Sequence, residues 1–182
     1  MKPGAHITTF TDRKGRDVVV TSLQASDLPD LLRYANDLID EDTFVLLSGK
    51  HLTHAHEEKY VRDAIKLIKK NKKIHLIARI DGVIASSFEV RILSLRKSHV
   101  GEIGISVAYA FRDSGIGRRC VEILISEAKK VGLKLLYLHV FENNPRAIHI
   151  YESVGFISCG VVPGMFLYKG EHVGETTMYL PL

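Results

Sequence analysis

The period of the apolar positions changes several times along the chain, and each change marks an element. The run Val18-Val19-Val20, closed by Thr21-Ser22, predicts a first strand. Leu28, Leu31, Leu32, Ala35, Leu38 and Ile39 then recur at three and four residues, which predicts an amphipathic helix. Ser26 or Asp27 can cap it, and Pro29 sits near its first turn, where a missing N–H does no harm. A second helix is predicted over about Thr53 to Asn71, with Val61, Ala64, Ile65 and Ile68 as its stripe and a basic opposite face. From Lys73 the period becomes two: Ile74, Leu76, Ala78 and Ile80 share a face, Asp81-Gly82 signals a two-residue hairpin, and a strand returns from Val83. A further strand, about Val100 to Val107, sets Ile103, Ile105 and Val107 against Glu102, Gly104 and Ser106.

After a glycine-bearing loop, Val121, Leu124, Ile125, Ala128 and Val131 form the inward stripe of a third helix, with Lys129 and Lys130 in its last turn and Gly132 to end it. Lys134 to Phe141 is apolar on both faces, as a central strand covered on each side would be. Asn144-Pro145 opens a short helix carrying Ala147, Ile150, Tyr151 and Val154, and Gly155 stops it. Two last strands, near Phe156 to Pro163 and Thr176 to Leu180, flank a glycine-containing connection. The predicted order is β-α-α-β-β-β-α-β-α-β-β, an α/β class with a mixed sheet, in one domain over residues 1–182.

Composition narrows the class without choosing within it. With 46% apolar and 25% charged residues over 182 positions, the chain is neither disordered, collagen-like nor a disulfide-stapled miniature. Cys120 and Cys159 form no CxxC pair, Met1 to Arg16 holds no apolar core of a leader, and no run approaches the roughly 18 apolar residues of a membrane span. A cytoplasmic, soluble protein with no membrane association is expected. The formal charge of +4 suits an anionic small molecule and is too small to imply nucleic acid. Lys66, Lys69, Lys70, Lys72 and Lys73 could touch RNA, but aromatic interleaving is poor there, and the run reads better as the wet face of a helix. His51, His54 and His56 lack a cysteine companion or a second cluster, so no metal is expected. Dimerisation is compatible with the sequence, although no heptad or exposed apolar strand establishes it.

The loop Arg112-Asp113-Ser114-Gly115-Ile116-Gly117 between a strand and a helix has the form of an anion cradle. Glycines admit the ligand to the backbone, and the unpaired N–H groups of the helix's first turn carry about half a positive charge. Arg112 and Arg118 or Arg119 can add charge-assisted contacts. The same glycines could serve only a tight turn. No Lys-Ser or Lys-Thr follows, which disfavours a Walker loop, and the loop comes too late for a Rossmann fingerprint.

Together with the downstream stretch Val140 to Phe156, which contains Asn143-Asn144-Pro145-Arg146-Ala147-Ile148-His149-Ile150-Tyr151, this loop resembles the GNAT family of acetyl-CoA-dependent N-acetyltransferases. The resemblance covers about Lys73 to Leu182 by motif and the first two helices by element order only. It implies the GNAT acyl-CoA N-acyltransferase fold with a splayed central sheet, and acetyl-CoA as cosubstrate. It also implies cofactor contacts from Ser106 and Val107 to the pantetheine arm, from Arg112, Asp113, Ser114, Gly115, Ile116, Gly117 and Arg118 to the pyrophosphate, and from Asn144. Tyr151 matches the tyrosine placed near the cofactor sulfur and is the expected general acid. Many members carry glycine where this chain has Asp113, an acid beside a dianionic group that weakens binding if its side chain points inward.

The general base has two candidates. His139 alternates with Leu135 and Tyr137 on the central strand, where relatives often carry a glutamate, and Glu102 faces opposite to Ile103 and Ile105, where other members carry an acid. Either could instead be structural. Cys120 reads as packing, so direct transfer is preferred to a covalent route. The resemblance places the acceptor beside the loop Asp40 to Phe44 and the last hairpin around Phe166 to His172. Asp40, Glu41 and Asp42 would attract a cationic amine, and Phe44, Phe166 and Tyr168 could line its entrance. The expected activity is acetylation of a primary amine on a small molecule or a protein N-terminus. The alternative is a non-catalytic acyl-CoA sensor.

Overall fold

Eight strands form a single sheet in the computed structural model, which describes residues 1–182. They are β1 (His6–Thr11), β2 (Asp17–Ser22), β3 (Lys73–Ile80), β4 (Val83–Ile92), β5 (Val100–Val107), β6 (Leu135–Phe141), β7 (Ile157–Tyr168) and β8 (Glu171–Pro181). Their spatial order is β1-β2-β3-β4-β5-β6-β8-β7, antiparallel throughout except between β5 and β6. The helices are α1 (Leu28–Asp40), α2 (His54–Lys69), α3 (Ile116–Lys130) and α4 (Pro145–Ser153). α3 and α4 bury Cys120, Val121, Leu124, Ala128 and Tyr151 against Leu76, Phe88, Val90, Leu136 and Leu138. α1 and α2 enclose a second cluster, including Leu31, Leu38, Val61, Ala64 and Ile68, on Ile77 and Ile84 of the opposite face. The alternation of β3 and β4 explains the two layers, because residues one apart on a strand feed different clusters.

The sheet opens in its middle. β5 and β6 pair only from Val100 to Glu102 against Leu135 to Tyr137, whereas β6 pairs with β8 along its whole length, Leu135 to Phe141. Gly101 holds the closed end together: a Cβ there would come within 2.5 Å of Val90 and 2.8 Å of Leu133. Gly104, further along, contributes no side chain to the opening.

Four expectations need correction. The predicted first strand is the second, since β1 precedes it and pairs with it, Thr11 opposite Asp17. β1 is half-exposed and threonine-rich, so its apolar alternation is faint. The final strands are far longer than predicted and form one hairpin turning at Lys169-Gly170. Gly160, Pro163 and Gly164 mark bulges within β7, at the register shifts between Ser158 and Gly160 and between Val162 and Phe166, and do not end the strand. β6 is covered on one face only: Leu136, Leu138 and Val140 are buried, whereas His139 is exposed on a face that no helix seals. Val131, expected inward, follows the last turn of α3 and is 44% exposed.

Candidate active site

α3 starts from Gly115 in the left-handed region (φ +83°), and the N–H groups of Ile116, Gly117 and Arg118 find no acceptor in the protein. The loop before them is braced from two sides. Ser114 Oγ donates to the Phe111 carbonyl (2.6 Å), and the Ser114 carbonyl accepts from the Arg13 N–H (2.9 Å) in the β1–β2 turn. The Arg13 side chain lies over Gly115, where a Cβ would come within 3.2 Å of Nε. A Cβ at Gly117 would meet Ile150 at 3.5 Å and Val107 at 3.7 Å across the groove wall. A groove of about 690 Å³ runs from this loop past the end of β5 to α4 and the last hairpin, with five cations (Arg13, Arg112, Arg118, Arg146, Lys169) against three carboxylates (Glu41, Asp42, Asp113).

Arg112 does not stand free for an anion. Its guanidinium forms a bidentate pair with Glu41 at the end of α1, Nη2 to Oε2 at 2.8 Å, and its Nε donates to the Val107 carbonyl at 3.0 Å. Asp113 adopts φ +60°, is 72% exposed, and pairs with Arg146 in the first turn of α4, both residues lining the groove. Arg118 and Arg119 share Glu122 at 3.1 Å each and are half-exposed.

The groove meets a second cavity, of about 360 Å³, in the opening between β5 and β6, and Phe44, Ile105, Asn144, Ala147 and Tyr151 line both. Asn144 caps α4, its Oδ1 accepting from the Ala147 N–H at 3.1 Å. Tyr151 is buried, and that burial pushes its phenol up to about 12, so it holds its proton at neutral pH. The floor of the second cavity is polar: Glu89, Arg91, Glu102, His139 and Glu175. Burial raises the Glu102 carboxyl, but Arg91 and the Tyr137 hydroxyl (2.7 Å) outweigh it and hold the group below the usual glutamate range. Glu89 is likewise lowered: burial opposes, while His75 and Lys73 (2.7 Å) and the Tyr60 hydroxyl (2.8 Å) prevail. His139 Nδ1 lies 2.9 Å from Glu175 Oε1 and 3.2 Å from Thr177 Oγ1.

Aromatic rings close the acceptor side. Phe44 from the α1–α2 loop stacks on Tyr168 (4.8 Å between centroids), and Phe141 at the end of β6 stacks on Phe166 (3.9 Å). The neck of that loop is fixed by Asn36, which accepts from the Leu52 N–H (2.8 Å) and donates to its carbonyl (3.3 Å), and by His51 against Asp40 (2.6 Å).

Residues 35–156 match the model of the acetyltransferase (GNAT) family. The chain belongs to this family. Among curated GNAT relatives, a spermidine N(1)-acetyltransferase of Vibrio cholerae is 29% identical over 80 residues, 43% of this chain and 46% of that protein. A [ribosomal protein bS18]-alanine N-acetyltransferase of Salmonella typhimurium is 33% identical over 78 residues, 43% of this chain and 53% of that protein. The chain thus matches about half the length of these relatives. Solved GNAT structures share the whole fold. An acetyltransferase of Streptococcus pneumoniae superposes with a TM-score of 0.81 at 22% identity, over 91% of this chain and 99% of that one. RimL, a ribosomal L7/L12 alpha-N-protein acetyltransferase solved with coenzyme A, gives 0.83 at 12%, over 98% of each chain.

Of the site residues predicted for this GNAT chain, Ser106, Val107, Arg112, Asp113, Gly115, Gly117, Arg118, Asn144 and Tyr151 line the large groove, and Glu102 and His139 line the second cavity. Ser114 and Ile116 are buried and support the loop. Ser106 Oγ accepts from the Tyr34 hydroxyl at 2.8 Å and its carbonyl from Ser86 Oγ at 2.7 Å, so both groups are engaged inside the protein. Of the acidic acceptor loop, Asp40 contacts His51 and Glu41 pairs with Arg112, whereas Asp42 has no ion-pair partner and lines the groove. Burial lifts the Cys120 thiol to about 12, which leaves it an inert packing group. His51 is tied to Asp40, and no three His, Cys, Asp or Glu side chains gather as metal ligands. No helix is long and apolar enough to cross a membrane.

Sequence reasoning missed Arg13, Arg146 and Glu175, and it assigned Glu41 to the acceptor without seeing its pairing with Arg112. Arg146 lies inside the motif that carried the family resemblance, two residues past Asn144, and was readable there. The others reach the site across the fold, from a turn, a helix end and a neighbouring strand.

Proposed function

We propose that this protein transfers an acetyl group from acetyl-CoA directly to a primary amine. The observation that carries this reading is the junction at Tyr151, where a groove with free amide donors meets a cavity floored by titratable side chains. The groove fits the cofactor: three unpartnered N–H groups and a cationic excess suit a pyrophosphate, and the bare Gly117 leaves room for it. Ile116, Gly117 and Arg118 would hold the phosphates through their N–H groups, with the exposed Arg13 and half-exposed Arg118 as counter-charges, while the walls at Ile105, Val107 and Asn144 would hold the pantetheine arm. When bound, acetyl-CoA supplies a thioester, an acyl group activated toward amines.

The protein's own part is to position, deprotonate and stabilise. His139 takes the proton of the incoming ammonium, because its ring stands on the cavity floor and is not locked into an ion pair with an arginine. Glu102 is the weaker base, being held as an anion by Arg91 and Tyr137. Tyr151 donates a hydrogen bond to the departing sulfur. With its phenol near 12, above a thiol's ordinary value of about 8.5, it stabilises the leaving charge without surrendering its proton outright.

The acceptor belongs to the class taken by the relatives, whose names cite spermidine and a ribosomal-protein alanine. Phe44, Phe141 and Phe166 as walls favour an amine carried on an apolar stem. The test is thioester consumption across a panel of polyamines, amino sugars and peptides with free N-termini. Turnover with at least one amine supports the reading. Coenzyme A binding with no turnover on any would leave a sensor in its place.

A further inference from the structure

His139 stands on the unsealed face of β6, and β8 places Thr177 opposite it in register and Glu175 diagonally on the same face. Nδ1 faces two oxygens, Glu175 Oε1 at 2.9 Å and Thr177 Oγ1 at 3.2 Å. A carboxylate only accepts, so the proton of the neutral ring belongs on Nδ1 and the lone pair on Nε2. Glu175 is 13% exposed and pairs with no lysine or arginine, so its charge is directed at the ring. The remaining neighbours do not compete: the Tyr137 ring meets His139 edge-on at 5.5 Å, and its hydroxyl is committed to Glu102, itself held by Arg91.

We infer that Glu175 is a positioning residue that fixes His139 as the Nδ1–H tautomer and thereby presents Nε2 as the proton acceptor of the acceptor cavity. In the step this serves, an N–H bond of the substrate ammonium breaks, its electron pair stays on the amine nitrogen, and the proton moves to Nε2. The imidazolium so formed has Glu175 as its counter-ion and later releases the proton to water. The catalytic part of this assignment rests on the acetyl-transfer reading, whereas the tautomer does not.

Two measurements separate them. Long-range ¹H–¹⁵N correlation spectra of the free protein, with His139→Gln to assign the ring, report the tautomer directly. Wild type is expected to show Nδ1 protonated, Thr177→Val to keep that state, and Glu175→Ala to move the proton to Nε2. A wild-type ring protonated on Nε2 overturns the inference before any variant is made, so misfolding of Glu175→Ala cannot shelter it. With an accepted amine, Glu175→Ala should lower kcat about ten- to a hundred-fold and leave coenzyme A affinity unchanged. A tautomer that switches with no loss of kcat overturns the positioning role. Absence of turnover in wild type on every amine overturns the acetyl-transfer reading instead, and the spectra still decide the tautomer.

Discussion

Glu41 supplies a test that separates stability from binding. Its carboxylate is the bidentate partner of Arg112, and the two side chains are 25% and 22% exposed. Fully exposed pairs contribute about 0.2–1 kcal/mol, and breaking a fully buried one costs about 3–5 kcal/mol. At three-quarters burial, with Arg112 still bonded to the Val107 carbonyl, Glu41→Gln should cost about 1–2 kcal/mol. For a chain of this size each kcal/mol moves the midpoint by about 2–4 °C. The same substitution removes one of the three carboxylates facing five cations in the groove and frees the guanidinium toward an anion. Coenzyme A should therefore bind more tightly, by about two- to five-fold, as one partly screened charge allows. Chemical denaturation and calorimetric titration of the same preparation read both quantities. Stability falls and affinity rises if Arg112 is held back by Glu41. Weaker coenzyme A binding in a normally folded Glu41→Gln protein would refute the reasoning, because Glu41 would then be aligning Arg112 for the phosphates.

Three further outcomes follow from particular contacts. Tyr151→Phe should lower kcat at least ten-fold in a steady-state assay while coenzyme A affinity is unchanged, and undiminished turnover would remove the phenol from the mechanism. Gly101→Ala should destabilise by about 1–3 kcal/mol in a denaturation curve, because its methyl would press on Val90, Leu133 and Leu136 at the closed end of the sheet. His75 is 1% exposed and burial lowers it from 6.5 to about 4, so between those values the unfolded chain binds a proton that the folded one does not. Stability is then intact above pH 6.5 and lost as pH falls toward 4, by about 2 kcal/mol between 6.5 and 5, and His75→Gln should flatten that slope.

Where one local period or motif decided an element, the sequence sufficed. α1, α2, α3, the β3–β4 hairpin at Asp81-Gly82, the cradle and α4 stand where their spacing put them. β1 escaped because only Ile7 and Phe10 mark its inner side, although Thr8, Thr9 and Thr11 before the turn at Asp12 to Gly15 were a usable β-branched signal. β7 was cut short because glycine and proline read the same in a bulge as in a connection. For the site, the residue types were legible and their partners were not. Arg112 reads as an unpaired cation, and its ion pair with Glu41, 71 residues earlier, leaves no trace in the loop motif. His139 reads equally as a base or as a core histidine; that β6 is open on its face and that β8 brings Glu175 alongside are visible only in the fold. Ion pairs between distant segments leave no periodicity to read, so charge inventory alone overstates what is free to bind.

The most direct measurement is calorimetric titration of acetyl-CoA into wild type and Gly117→Trp. The glycine lies on a helical turn with 3.5 Å to Ile150, so an indole would occupy the groove, and a circular dichroism spectrum unchanged from wild type would establish that the fold survives. Binding in the micromolar range or tighter by wild type, abolished in the variant, is the predicted result. Well-folded wild type that takes up no acetyl-CoA, or a variant that binds it as well as wild type does, would contradict the cofactor site on which the proposed transfer depends.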